Sequence, residues 1–335
     1  MFVVSQTTAT TTATTTTNTS VSVTGTFNVL YGLKKNKDYN LAAIVSVSDS
    51  GGSTGEIRDQ FGILPPGDIR RAIVALSEDT GIVRKLFEYR FKAGNRISGH
   101  TIGNLLLTAL TDITGDFEKG IQELSEMFDV RGKVIPVTLD DTQLGIILED
   151  GTQIIGETNI DIPKHDANLE ICDAFLVGGG KLNPRAREAL INSDYIIIGP
   201  GDLYTSIVPN LLSEGMRESI QESKAKIIYI CNIMTKYGET NNFAVKDFVD
   251  VIEKYIGKNE IDYVLVNNAP IREELALKYK QEENKQPVRI TDIEIFSGAS
   301  YKIIERDVVN EADYIRHDPK KLANIIADFV EGWIK

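Results

Sequence analysis

VSVSDSGGSTGEIRDQFGILPPGDIRRAIVAL, residues 45–76, decides how the rest of the chain is read. An apolar, β-branched lead from Leu41 to Val47 predicts a buried strand, and it breaks at once into Asp49-Ser50-Gly51-Gly52-Ser53-Thr54-Gly55. Glycines in that run let backbone N–H groups approach a ligand, Ser53 and Thr54 add hydroxyl donors, and Arg58 follows one turn into the next expected helix. The combination suits a phosphate. A carboxylate beside a phosphate needs a metal, a shared proton or a ribose hydroxyl, so Asp49 shifts the expectation from free phosphate to a nucleotide. Ile63-Leu64-Pro65-Pro66-Gly67-Asp68 then forms a rigid turn, with Asp68 placed to cap the helix carrying Arg70 and Arg71.

The chain around this stretch is an ordinary globular one. Its 335 residues, 42% apolar and 25% charged, suffice for one large α/β domain or two smaller ones. A formal net charge of −12 and the lack of long Lys/Arg runs exclude a general nucleic-acid or anionic-membrane surface. Any phosphate must therefore be handled locally. Cys172 and Cys231 lie far apart in apolar surroundings, which predicts buried, reduced thiols. No apolar run reaches the roughly 18 residues of a membrane helix, and no basic-then-apolar leader opens the chain; the cytoplasm is the expected compartment.

Residues 5–20, SQTTATTTATTTTNTS, cannot bury enough apolar surface to offset ordering, so residues 1–20 are expected to be a disordered or artefactual Thr-rich extension. From Val21, a strand–turn–helix opening is read through Thr24-Gly25-Thr26, with helical spacing at Phe27, Leu30, Tyr31 and Leu33. Helices are expected over Ile82–Phe91, Leu105–Leu110 and Phe117–Phe128. Ser98, Gly99, His100, Thr101 and Asn104 gather donors at the start of the second of these, suited to an anion or a base edge. Lys133–Thr138, Leu144–Glu149 and Gln153–Thr158, with a turn at Asp150-Gly151, predict an antiparallel insert over about 132–180.

Three later apolar strands end in turn-forming or polar residues. Tyr195–Ile198 runs into Gly199-Pro200-Gly201-Asp202 and Leu203-Tyr204-Thr205-Ser206; Lys226–Cys231 runs into Asn232-Ile233-Met234-Thr235; Ile261–Val266 runs into Asn267-Asn268. Each is followed by a helical pattern, so the fold class is α/β: an open, mostly parallel sheet with helices on both faces and a small antiparallel hairpin insert. The carboxyl ends of such strands share one edge, and the loops Gly199–Ser206, Asn232–Thr235 and Ser98–Asn104 can close a crevice against the Gly51–Arg58 loop. A final strand is expected over Val288–Phe296 and a closing helix over Leu322–Ile334, with Trp333 packed; Arg272–Gln286 is a charged, solvated helix.

Several chemistries are excluded. The three histidines show no HExxH spacing, and GxxxxGK[ST], a dinucleotide fingerprint and GxSxG are all absent. What remains is a nucleotide-diphosphate or sugar-nucleotide site in which Asp49 and Asp68 are the acids placed to touch a metal or a hydroxyl.

The runs DSGGSTGEIRDQFGILPPGDIRRAIVALS, ISGHTIGNLLLTAL, IIIGPGDLYTSIVPNLL and CNIMTKYGETNNF together closely resemble the gluconeogenesis-factor family of bacteria, within the superfamily of the CofD-like 2-phospho-L-lactate transferases. The resemblance covers about residues 24 to 335 and implies that residues 21–335 form one Rossmann-like domain. It further implies a cytoplasmic regulator that binds a UDP-sugar (UDP-N-acetylglucosamine or UDP-glucose), requires no cofactor, and influences carbon metabolism, cell-wall synthesis and cell shape. A homo-oligomer, specifically a dimer, and a regulatory protein partner are expected with it; nucleic acid and membrane are not. The transferase branch instead moves a phospho-acid group from a nucleotide donor to a deazaflavin with magnesium, a role in which Asp49 would hold the ion. That branch lacks the long SGGSTG…LPPGDIR block. One departure stands out: relatives begin with a strand and a GGGTG loop, of which only Thr24-Gly25 survives here, so the first phosphate cradle is expected to be damaged and binding weakened.

Overall fold

The computed structural model describes residues 1–5, 17–19, 23–78, 81–94, 97–290, 299–310 and 314–334. In chain order its main strands are β1 (Phe2–Ser5), β2 (Thr17–Thr19), β3 (Tyr39–Val45), β4 (Lys133–Pro136), β5 (Gln143–Leu148), β6 (Gln153–Ile155), β7 (Ile171–Val177), β8 (Tyr195–Ile198), β9 (Lys226–Ile230), β10 (Tyr263–Asn267) and β11 (Lys302–Arg306). The helices are α1 (Val23–Leu33), α2 (Gly52–Phe61), α3 (Gly67–Leu76), α4 (Ile82–Glu88), α5 (Ile102–Thr114), α6 (Phe117–Met127), α7 (Glu157–Asp161), α8 (Pro184–Ile191), α9 (Val208–Leu211), α10 (Met216–Glu222), α11 (Val245–Ile256), α12 (Glu273–Glu283) and α13 (Pro319–Val330). A wide π-helical turn, Leu203–Ile207, leads into α9.

The central strands read as unbroken apolar runs because both of their faces are covered. Leu41, Ala43 and Val45 of β3, Ile197 of β8, Ile228 and Ile230 of β9 and Leu265 of β10 point into one core, shared with α1, α3, α6 and α13. Their alternates Ala42, Ile44, Ile196, Ile198, Ile227, Tyr229, Val264 and Val266 point into the other, beneath α8, α10 and α11. Helices thus lie on both faces, as expected. The main sheet has the order β11-β10-β9-β8-β1-β3, with β2 and β4 both pairing with β3. β8 to β11 are mutually parallel, and β2 and β4 run parallel to β3. Among the described strands of this sheet only β1, wedged between β3 and β8, runs antiparallel to its neighbours.

Within the expected extension of residues 1–20, Phe2–Ser5 and Thr17–Thr19 are therefore sheet strands; residues 6–16 and 20 lie outside the described residues. The antiparallel insert is a three-stranded sheet, β6-β5-β7, with its tight turn at Asp150-Gly151. Lys133–Pro136 is not part of it, as had been expected: its last three residues are buried, and it joins the main sheet as β4. Among the described residues the last parallel strand is Lys302–Arg306; of the expected strand Val288–Phe296, residues 291–296 lie outside the described residues. Trp333 does not pack but is 78% exposed, its indole N–H reaching only Glu331 at 3.0 Å. Cys231 is buried, whereas Cys172 is exposed, because the insert's β7 turns that side chain outward. Among the described residues no helix is long and apolar enough to cross a membrane.

Candidate functional site

The carboxyl ends of β3, β8, β9 and β10 open on one edge of the sheet, and two adjoining cavities lie there. The first, about 460 Å³, is walled by the β3–α2 loop, the start of α3, α7 of the insert and the turn after β8. Of the residues expected to bind ligand, Asp49, Gly51, Gly52, Ser53, Gly67, Asp68, Asn104, Thr205 and Ser206 line it. The second, about 450 Å³, takes Gly201, Asn232, Met234 and Thr235. Asp202 lines both.

The glycines let backbones approach closely. A Cβ on Gly67 would stand 2.6 Å from Thr54 Oγ1 and 2.8 Å from Asp49 Oδ2, so a side chain there would have to displace both groups where the Leu-Pro-Pro-Gly turn meets the β3–α2 loop. Gly52 serves differently: its φ of +44° suits glycine, and a Cβ there would meet nothing within 4 Å. Asp49 Oδ1 accepts the Gly51 N–H at 2.8 Å, folding the loop so that the N-terminal end of α2 opens on the cavity.

Arg70, Arg71 and Arg90 also line this cavity. Burial lowers Arg70 to about 10, and the neighbouring charges of Arg71 and Arg90 act in the same direction. An anion between them would relieve that repulsion. Opposite them stand carboxylates. Burial pushes Asp68 up to about 6, opposed by Arg71 at 3.0 Å and reinforced by Asp49. Burial pushes Glu157 up to about 8, with Asp49, Asp161 and Asp68 adding to it. The hydroxyl of Thr158 is buried, has no hydrogen-bond partner among the described residues, and lines the cavity.

Lys236 joins the two cavities. Its ammonium meets Asp161 of the insert, Asp202 after β8 at 2.8 Å and Glu239 at 2.8 Å. Burial works against its charge, yet Glu239 and Asp202 hold it above the usual lysine range. Glu239, fully buried, accepts the Tyr204 N–H and the Thr205 hydroxyl, each at 3.1 Å. Burial raises its carboxyl above the ordinary value despite Lys236. Arg316 and His317 complete the second cavity from the C-terminal region. Burial drops His317 to about 4, and its Nε2 lies 3.1 Å from the Cys231 carbonyl, so the ring is neutral and donates there.

Other expectations are corrected. Arg58 does not face the cavity: its phase on α2 turns it to Asp59, at 2.8 Å. Asp68 does not cap α3; it sits in the first turn and pairs with Arg71. Ser98 and Gly99 form a turn outside both cavities, and His100 is buried behind Ser53 instead of lining the wall. Gly199, whose φ is +75°, forms the bend before Pro200 but lines neither cavity. Tyr204 is buried, its hydroxyl donating to the Ile171 carbonyl at 3.1 Å. Asn267 faces a small neighbouring pocket and donates to the Ala269 carbonyl at 2.9 Å. Val23, Thr24 and Gly25 fall in the first turn of α1; Val21 and Ser22, the other two positions at which the first glycine cradle is replaced, lie outside the described residues. Sequence reading gave no site role to Arg90, Glu157, Thr158, Asp161, Lys236, Glu239 and Arg316; Lys236 and Glu239 do lie in the run CNIMTKYGETNNF, whereas the others carry no local motif. For Arg70 and Arg71, already placed beside the Pro-Pro-Gly turn, that position was the available signal.

Comparison with known proteins agrees with this architecture. The family model for 2-phospho-L-lactate transferase CofD matches residues 24–309. The gluconeogenesis factor of Bacillus subtilis is 39% identical over 311 residues, 92% of this chain and 96% of that protein. That of Halalkalibacterium halodurans is 40% identical over 306 residues, 91% of this chain and 93% of its own length. A crystal structure of a member of the UPF0052 family from Bacillus halodurans superposes with a TM-score of 0.86 at 39% identity, covering 92% of this chain and 97% of that one.

Proposed function

Because the chain belongs to the gluconeogenesis-factor group of the CofD family, we propose that it binds a nucleoside-diphosphate sugar, UDP-N-acetylglucosamine or UDP-glucose, across the two cavities and acts as a regulator. The observation that carries this reading is the crowding of Arg70, Arg71 and Arg90 around a glycine loop, with a second cavity continuing past Asp202. A diphosphate fits the arginine-lined part, and the polar groups Asn232, Thr235 and Arg316 suit the remainder of the ligand. The regulated processes are carbon metabolism, cell-wall synthesis and cell shape; the protein acts in the cytoplasm, as a homodimer, through a regulatory protein partner. No cofactor is needed. Among the described residues no three His, Cys, Asp or Glu side chains could hold a metal ion, so magnesium, when used, is held by Asp49 together with the ligand's own phosphates.

Thermal unfolding with each ligand tests the reading. A hundredfold excess over Kd should stabilise the fold by about 2.7 kcal/mol with UDP-N-acetylglucosamine or UDP-glucose. No shift with either would end it. A second reading, transfer of a phospho-acid group from a nucleotide to a deazaflavin, draws on the transferase family model and on Asp49 beside Asp68. Product phosphorus signals in NMR with both substrates would favour it over the regulator.

A further inference from the structure

A directed chain of hydrogen bonds crosses the wall of the first cavity. Arg70 Nε donates to Asn104 Oδ1 at 3.0 Å, which fixes the amide so that Nδ2 donates to Ser53 Oγ at 3.3 Å. Ser53 Oγ lies 2.8 Å from His100 Nδ1, and His100 Nε2 lies 3.1 Å from Glu56 Oε2. Arginine only donates and a carboxylate only accepts, so the two ends set the direction. With a neutral ring, Ser53 gives its proton to Nδ1 while Nε2–H is held by Glu56. A serine hydroxyl, an imidazole base and a carboxylate that orients the base are the parts of an activated nucleophile. Ser53 also sits in the first turn of α2, beside the arginine-lined space.

We infer that Ser53 is a nucleophile toward a phosphoryl electrophile bound against Arg70, Arg71 and Arg90, with His100 as its general base and Glu56 and Asn104 as positioning residues. The Oγ–P bond forms as the anhydride P–O bond breaks. The hydroxyl proton passes to His100 Nδ1 and then to the departing phosphate oxygen. A water, deprotonated by the same imidazole, attacks the phosphorus; as the Oγ–P bond breaks, His100 returns that proton to Ser53 Oγ, so that one anhydride and one water yield two phosphates and the free serine. The identity of the electrophile as a nucleoside-diphosphate sugar rests on the proposed function; the nucleophile does not.

The test uses the full chain and diisopropyl fluorophosphate, whose P–F bond stands in for the anhydride, with fluoride leaving alongside the proton. Intact-mass and peptide mapping should find one adduct, on Ser53, absent from Ser53→Ala. His100→Gly should slow labelling at least about 100-fold, and added imidazole should restore part of the rate. Glu56 is 61% exposed, so Glu56→Gln keeps the fold and should slow labelling as well, whether or not the histidine variant folds. No adduct on Ser53, or an unchanged rate in Glu56→Gln, overturns the inference. Saturating UDP-N-acetylglucosamine should protect Ser53; full-rate labelling in its presence overturns the nucleotide-sugar assignment and leaves the nucleophile standing.

Discussion

Gly67 stands so close to Asp49 that a Cβ on it would come within 2.8 Å of the aspartate's Oδ2. The same atom would lie 2.6 Å from Thr54 Oγ1, so the turn before α3 and the loop before α2 share one tight seam. Gly67→Ala must displace the Thr54 hydroxyl and the Asp49 carboxylate. The expected outcome is a loss of about 1 to 3 kcal/mol in unfolding free energy, read by denaturant titration, and at least a tenfold weaker nucleotide-sugar affinity. Wild-type values in both measurements would mean that the seam does not shape the site.

The two loops were legible in the sequence, and so was the convergence of strand ends; the contact between them at Gly67 was not. Glycines, prolines and a carboxylate at strand termini constrain the backbone locally, and parallel strands place their carboxyl ends together whatever the side chains do. Arg58 was misplaced because residue type does not reveal which way a helix is rotated; Arg70, on the next helix, faces the cavity instead. Lys133–Pro136 lay close to the insert in sequence, but strand pairing is settled by which strand edge has unpaired backbone groups, and β3 offered one. Glu157, Thr158 and Asp161 come from an insert about a hundred residues away from the glycine loop. No short-range pattern could have placed them there.

Glu157 makes stability depend on pH. Its carboxyl rises from 4.5 to about 8 through burial and the nearby charges of Asp49, Asp161 and Asp68, against which Lys236 acts. Between those two values the folded state holds more protons than the unfolded one, so stability is greatest at the acidic end and is lost as the pH climbs through about 8. Asp68, raised to about 6, adds a smaller loss in the same direction. Unfolding free energy should fall by about 1 to 2 kcal/mol from pH 5 to pH 8. Glu157→Gln should flatten most of that slope, and an unchanged slope would remove Glu157 as its source.

Lys236→Met would leave Asp161, Asp202 and the buried Glu239 facing one another without their cation. Breaking a buried ion pair from one side costs about 3 to 5 kcal/mol. The double variant Lys236→Met/Glu239→Gln should regain a large part of it, because the buried charge is then gone as well. Chemical denaturation of the two variants measures the difference. Equal stabilities would show that Glu239 is already neutral in the folded protein.

Isothermal titration of UDP-N-acetylglucosamine into the wild-type chain and into Arg70→Gln tests the central claim most directly. The arginine-lined cavity predicts saturable heat for the wild type and at least tenfold weaker binding for the variant, a difference of about 1.4 kcal/mol or more. No heat at millimolar ligand, or the same affinity in both proteins, would contradict it.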